Sequence, residues 1–151
     1  MWRPLPTVAA VTIAAAVTAC GGDDGASSPA DAVHSYNKAV AAGDGDKACG
    51  HLDTAAQKEL QESTQGAARG SCKQVIELLA AFLDDATKDR LKDAKVAASE
   101  QGDRGSARFT SPAAFDGGAE QAQTYELRKV DGEWKITSLG LSGPEPGTAA
   151  P

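Results

Sequence analysis

The stretch Gln123 to Leu141, reading QTYELRKV, then DG, then EWKITSLGL, decides how the rest of the chain is understood. Two runs of alternating apolar and polar residues, Gln123 to Val130 and Glu133 to Leu141, flank Asp131-Gly132. A period of two puts Tyr125 and Leu127 on one face of the first run, and Trp134 and Ile136 on one face of the second, as the buried side of paired strands. Asp-Gly tolerates the positive φ angles that a tight two-residue turn needs, so the segment is predicted to be a β-hairpin. Upstream, Lys95 to Glu100 and Ser106 to Thr110 alternate around Val96, Ala98, Ala107 and Phe109. The turn-rich Gln101-Gly102-Asp103-Arg104-Gly105 lies between them, which predicts a second hairpin.

Before residue 95 the period is helical. Ser28-Pro29-Ala30-Asp31 places a capping serine, a proline at the first helical position and an acid three residues on. Val33, Tyr36 and Val40 then share a face, and Gly43 is the expected stop. Asp44-Gly45-Asp46 leads into a short helical turn through Cys49 and Leu52, and Asp53 or Thr54 caps another short helix near Ala55 to Gln61 that Gly66 to Gly70 breaks. Ser71 and Gln74 form a reciprocal cap for the strongest helix. Its apolar positions Cys72, Val75, Ile76, Leu79, Phe82 and Leu83 describe one continuous face. The polar run Asp84 to Asp93 fits an extension of that helix, a separate short helix or a loop equally well. Helices first and antiparallel strands afterwards specify an α+β domain over residues 29–141, with N-terminal helices packed on a curved antiparallel sheet of about four strands. Residues 142–151 have no periodicity and are expected to form a disordered tail.

The first nineteen residues have a different character. Met1 to Pro6 carries Arg3 alone, Val8 to Val17 is apolar, and Thr18-Ala19 precedes Cys20, the tripartite plan of a secretory signal. The apolar run is about half the ~20 residues that a membrane-spanning helix requires. Val17-Thr18-Ala19-Cys20 resembles the lipobox of bacterial lipoproteins. That resemblance implies removal of residues 1–19, a lipid of the palmitate class on Cys20, and anchorage in the cell envelope at the outer face of the cytoplasmic membrane. Residues 20–28 would then be the lipidated cysteine and a polar, flexible tether.

The 151 residues, 41% hydrophobic and 24% charged, have the balance of an ordinary globular protein. Arg3 is the one charge before Cys20, so the processed chain carries 14 basic against 21 acidic groups and a formal charge of −7. No window clusters Lys or Arg without interleaved acids, which argues against nucleic acid. An anionic bilayer would repel such a chain, leaving lipid on Cys20 as the membrane contact. Beyond Cys20, Cys49 and Cys72 are an even pair in an exported domain, for which a disulfide is expected and two buried free thiols are the alternative.

No Gly-rich phosphate loop, nucleophile elbow or His-Glu-x-x-His pair is present. The two histidines stand 17 residues apart without a cysteine pair at metal spacing, so neither a metal nor a cofactor is expected.

The opening Ala32-Val33-His34-Ser35-Tyr36-Asn37-Lys38-Ala39 with Gly43-Asp44 behind it, the Ala48-Cys49 turn and the final Asp131-Gly132-Glu133-Trp134-Lys135-Ile136 resemble the nuclear transport factor two-like superfamily. Its bacterial members include ketosteroid isomerases, polyketide cyclases and many small lipoproteins. The resemblance spans about Pro29 to Leu141. It implies a cone with a cavity between sheet and helices, for which Tyr36, His51, Phe82, Phe109, Tyr125 and Trp134 are the candidate lining residues. Catalysis in such a cavity uses an Asp or His base with a Tyr or an acid. Here Tyr36, His51 and Tyr125 alone offer such groups and the acidic pattern has no match, so the fold carries over and the activity does not. The expectation is a small bacterial lipoprotein of actinobacterial type, non-enzymatic, binding a small apolar ligand or an envelope protein. Its rivals are an isomerase or dehydratase-type enzyme in the same cavity and a structural accessory subunit of an envelope complex.

Overall fold

The computed structural model describes residues 25–64, 70–111 and 121–141. The expected signal segment, Cys20 and the expected tail from residue 142 lie outside the described residues. Helix α1 (Pro29–Ala42) starts where Ser28 Oγ accepts the Asp31 N–H at 3.1 Å, and it ends at Gly43 in the left-handed region. Asp44 caps α2 (Gly45–Gly50) and Asp53 caps α3 (Thr54–Ser63). Ser71 and Gln74 form the expected reciprocal cap of α4 (Cys72–Phe82). The ambiguous polar run is a separate helix, α5 (Asp85–Lys92): Leu83 turns extended, and Asp84 Oδ1 accepts the Thr87 N–H at 2.6 Å to start the chain again. Thr87 and Leu91 are its buried anchors.

Four strands follow, β1 (Val96–Gln101), β2 (Arg104–Ser111), β3 (Gln121–Val130) and β4 (Glu133–Ser138), antiparallel in the order β1-β2-β3-β4. Asp131 and Gly132 take φ values of 53° and 88°, the pair of positive angles that the β3–β4 turn requires. The first hairpin is tighter than expected, with strand pairing running as far as Gln101 and Arg104. β4 stops at Ser138 and not at Leu141, because the Leu139 and Leu141 N–H groups donate to the Glu59 carboxylate on α3, at 2.8 and 2.7 Å. This is the α+β arrangement anticipated from the sequence.

Tyr125, Leu127, Trp134 and Ile136 are buried as expected, together with Ala107 and Phe109 of β2. Three positions depart from the sequence pattern. Ala98 is exposed, because β1 is an edge strand on which only Val96 reaches the core. Phe82 is 80% exposed. At 100° per residue it falls about 70° from the centre of the α4 stripe, on the margin of the buried face. Ala26 is buried and its carbonyl accepts the Trp134 N–H at 3.3 Å, so packing begins before Pro29 and inside the stretch expected to be tether.

Helices and sheet meet at the corner between α2 and α3. The Ile136 N–H donates to the His51 carbonyl at 2.8 Å and the Asp53 N–H donates to the Ile136 carbonyl at 2.9 Å. Lys135 Nζ reaches the Gly50 carbonyl at 2.8 Å. The same corner is tied to α4 by the Cys49–Cys72 disulfide, with a Cα–Cα distance of 6.1 Å. Gly45 allows this approach, since a Cβ there would stand 2.7 Å from the Lys73 carbonyl oxygen.

The bridge closes a segment with a sequence separation of 23. On the chain-entropy model, replacing both cysteines (Cys49→Ala with Cys72→Ala) should lower unfolding stability by about 3 kcal/mol. Denaturant titration measures this, and a loss below about 1 kcal/mol would mean the crosslink does not constrain the chain.

Candidate functional site

Helix α1 crosses the sheet with Tyr36 and Asn37 facing inward one turn after Val33, and Val40 one turn further along the same stripe. Opposite it, α4 contributes Val75, Leu78, Leu79 and Phe82, and Leu60 of α3 and Leu91 of α5 close the sides. Phe109 of β2, Gln123 and Tyr125 of β3, and Leu139 just past β4 complete the wall. They enclose a cavity of about 380 Å³, within the range of small-molecule sites.

An aromatic row lines one side. The Tyr36 and Tyr125 rings meet edge to face with centroids 5.9 Å apart, and Tyr125 meets Phe109 in the same way at 5.1 Å. Burial pushes the Tyr36 hydroxyl far above its ordinary pKa. Tyr125 is raised by burial first, then by the neighbouring Tyr36 and Glu59. Among the described residues the lining contains no Asp, Glu, Lys, Arg or His, so its polar character comes from neutral groups. The Ser63 and Thr64 hydroxyls donate to the Leu60 and Gln61 carbonyls of their own helix, both at 2.8 Å. Asn37 is different. It is 1% exposed, and its Nδ2 has no hydrogen-bond partner among the described residues. A buried donor in that state costs about 1–3 kcal/mol.

The cavity reaches the surface through apolar side chains. Leu78, Phe82, Val130 and Leu141 are the exposed large hydrophobic residues among those described, and all but Val130 belong to the lining. A cluster of that kind at the edge of an apolar cavity is the expected mark of a binding groove.

Of the six residues anticipated from the family resemblance, Tyr36, Phe82, Phe109 and Tyr125 line the cavity, and His51 and Trp134 do not. His51 caps the C-terminus of α2, where its carbonyl is committed to the outer edge of β4. Trp134 lies at the other end of the sheet face. It packs beside Gly105 and Pro29, with Lys129 Nζ 5.8 Å from its ring centroid, and its Nε1 has no partner among the described residues. Asn37 escaped the sequence reading although it stands four residues after Val33 and three before Val40, inside the buried stripe where a polar residue is the exception. No group of three His, Cys, Asp or Glu among the described residues is placed to hold a metal ion.

Tyr36 and Tyr125 are the only tyrosines in the chain, so tyrosinate absorbance reports on the cavity wall alone. Their folded pKa values lie above the unfolded value of about 10, so the stability this provides is present below about pH 10 and is lost as pH rises beyond it. Alkaline titration should show tyrosinate appearing only together with loss of the circular dichroism of the fold. Ionisation near pH 10 with the fold intact would show the phenols to be in contact with water.

No curated protein matches the chain. Among solved structures, the chain is similar to one from Xanthomonas campestris described as a calcium/calmodulin dependent protein kinase II association domain. The two share 18% identity over 68% of this chain and 76% of that one, with a TM-score of 0.36. The family model for a domain of unknown function, DUF4878, matches residues 18–137, and the chain belongs to that family.

Proposed function

We propose that this protein is an exported lipoprotein, held at the outer face of the cytoplasmic membrane by lipid on Cys20, whose α+β domain binds a small apolar ligand without chemically altering it. The cavity is the observation that carries the reading. It is the size of a small-molecule site, walled by Val, Leu, Phe and Tyr, and open to the surface through Leu78, Phe82 and Leu141. An isomerase or dehydratase would need a group that takes a proton near neutral pH. The titratable groups in the described lining are two phenols that burial keeps protonated, which favours binding over catalysis.

The anchor rests on Val17-Thr18-Ala19-Cys20 at the end of an apolar run. Among the described residues no helix is long and apolar enough to cross a membrane. With packing established at Ala26, Gly21 to Gly25 connect the lipidated residue to the domain. Fully extended, such a segment spans no more than about 18 Å, so the domain would stand close to the lipid headgroups.

Two experiments test the halves of this reading. The unaltered chain should label with radioactive palmitate and the Cys20→Ala protein should not; a labelled Cys20→Ala protein, or an unlabelled unaltered one, would refute the anchor. Native mass spectrometry of the extracted full chain should show a small apolar adduct that the cavity-filling Leu79→Trp removes. An adduct unchanged by Leu79→Trp would place the ligand elsewhere.

A further inference from the structure

Taking the cavity as a binding site, we infer that its ligand is an uncharged amphiphile: a hydrocarbon chain whose hydroxyl or carbonyl group is hydrogen-bonded at Asn37 and whose apolar body leaves past Leu78, Phe82 and Leu141. Three independent observations converge on this chemistry. The first is Asn37 itself, which is almost fully buried in the wall with its Nδ2 unmatched by any described residue. A carboxamide offers both donor and acceptor, so it can take a hydroxyl or a carbonyl equally well. The partner that would relieve its cost is a polar group brought in by the ligand.

The second is the neutrality of the lining. A carboxylate, phosphate or ammonium group drawn beside Asn37 would lose its hydration without meeting an opposite charge among the described lining residues. Burying such an ion alone is far more costly than burying a hydroxyl that finds one hydrogen bond. The inner end of the ligand is therefore polar but not ionised.

The third is the mouth. Phe82 is 80% exposed, and Leu78 and Leu141 are 40% and 44% exposed, all three continuous with the cavity wall. A chain longer than the cavity would cover these side chains as it emerges, which removes their apolar surface from water. Polar point inside and apolar rim outside is the reverse of a pocket that swallows a tail and leaves a charged head in solution.

The test uses the full chain carrying Cys20→Ala in equilibrium dialysis against radiolabelled decan-1-ol, decane and decanoate. Decan-1-ol should bind at least about tenfold more tightly than either of the others, the size of effect that one buried hydrogen bond gives. Adding Asn37→Leu, which replaces the amide by an apolar group of similar volume and should leave the fold intact by circular dichroism, should abolish the preference for decan-1-ol over decane. Phe82→Ser, at an exposed position, should weaken both. Equal binding of alcohol and alkane, unaffected by Asn37→Leu, would overturn the role of Asn37 while leaving an apolar binding site in place. Tighter binding of decanoate would overturn the neutrality of the ligand. Binding of none of the three would remove the cavity-binding reading itself, and this inference with it.

Discussion

Two main-chain hydrogen bonds, from Ile136 to the His51 carbonyl and from Asp53 to the Ile136 carbonyl, are the joint on which the architecture depends. Without them β4 would present an open edge, with unpaired backbone groups beside the largest buried side chains of the sheet. With them the α2–α3 corner becomes a short extra rung of the sheet. The Cys49–Cys72 bridge then carries that position across to the first residue of α4. Further along α3, Glu59 accepts from Leu139 and Leu141. α3 is thus attached to the β4 end of the sheet at two places along its length, and α4 is attached to the corner covalently. The cavity lies in the space these attachments frame.

This framing gives a reason for the unusual content of the cavity. A domain of this size has a total stability of about 5–15 kcal/mol, so an Asn37 Nδ2 with no partner among the described residues, at about 1–3 kcal/mol, takes a noticeable share. Leu or Met at that position would be the simpler solution for a helix that served only to cover a sheet. An apolar cavity with neutral polar content and an exposed apolar mouth has the layout of a small-molecule site, in which a few polar groups set orientation and apolar contact supplies most of the free energy.

Much of the fold was legible because its signals are local. Asp131-Gly132, Ser28 with Pro29, Ser71 with Gln74, and Gly43 each constrain a few dihedrals or a single capping bond, and each is found as read. The disulfide followed from counting cysteines, since Cys49 and Cys72 are the even pair beyond Cys20. What was not legible depends on which element lies opposite which. Period-two alternation in β1 marks Val96 and Ala98 as one face, but nothing local reveals that β1 is the edge strand and that only Val96 reaches the core. The apolar stripe of α4 is correct, yet whether Phe82 at its margin is covered depends on where α5 turns away. His51 and Trp134 were grouped with the cavity from the family resemblance; the corner at β4 and the packing of Trp134 on Gly105 and Pro29 place them elsewhere. Asn37 was missed for the opposite reason, since a pattern built from apolar positions passes over the polar residue in their midst.

The corner itself is open to a direct measurement, amide hydrogen exchange at Asp53 and Ile136 in the oxidised protein and again after reduction. The two amides should be protected to the same degree as the centre of β3 while Cys49 and Cys72 are bridged, and both should lose protection together on reduction as α4 is released from the corner. Rapid exchange at both sites in the oxidised protein, with β2 and β3 still protected, would show that the edge of β4 is not sealed by the helices and that the frame around the cavity has another origin.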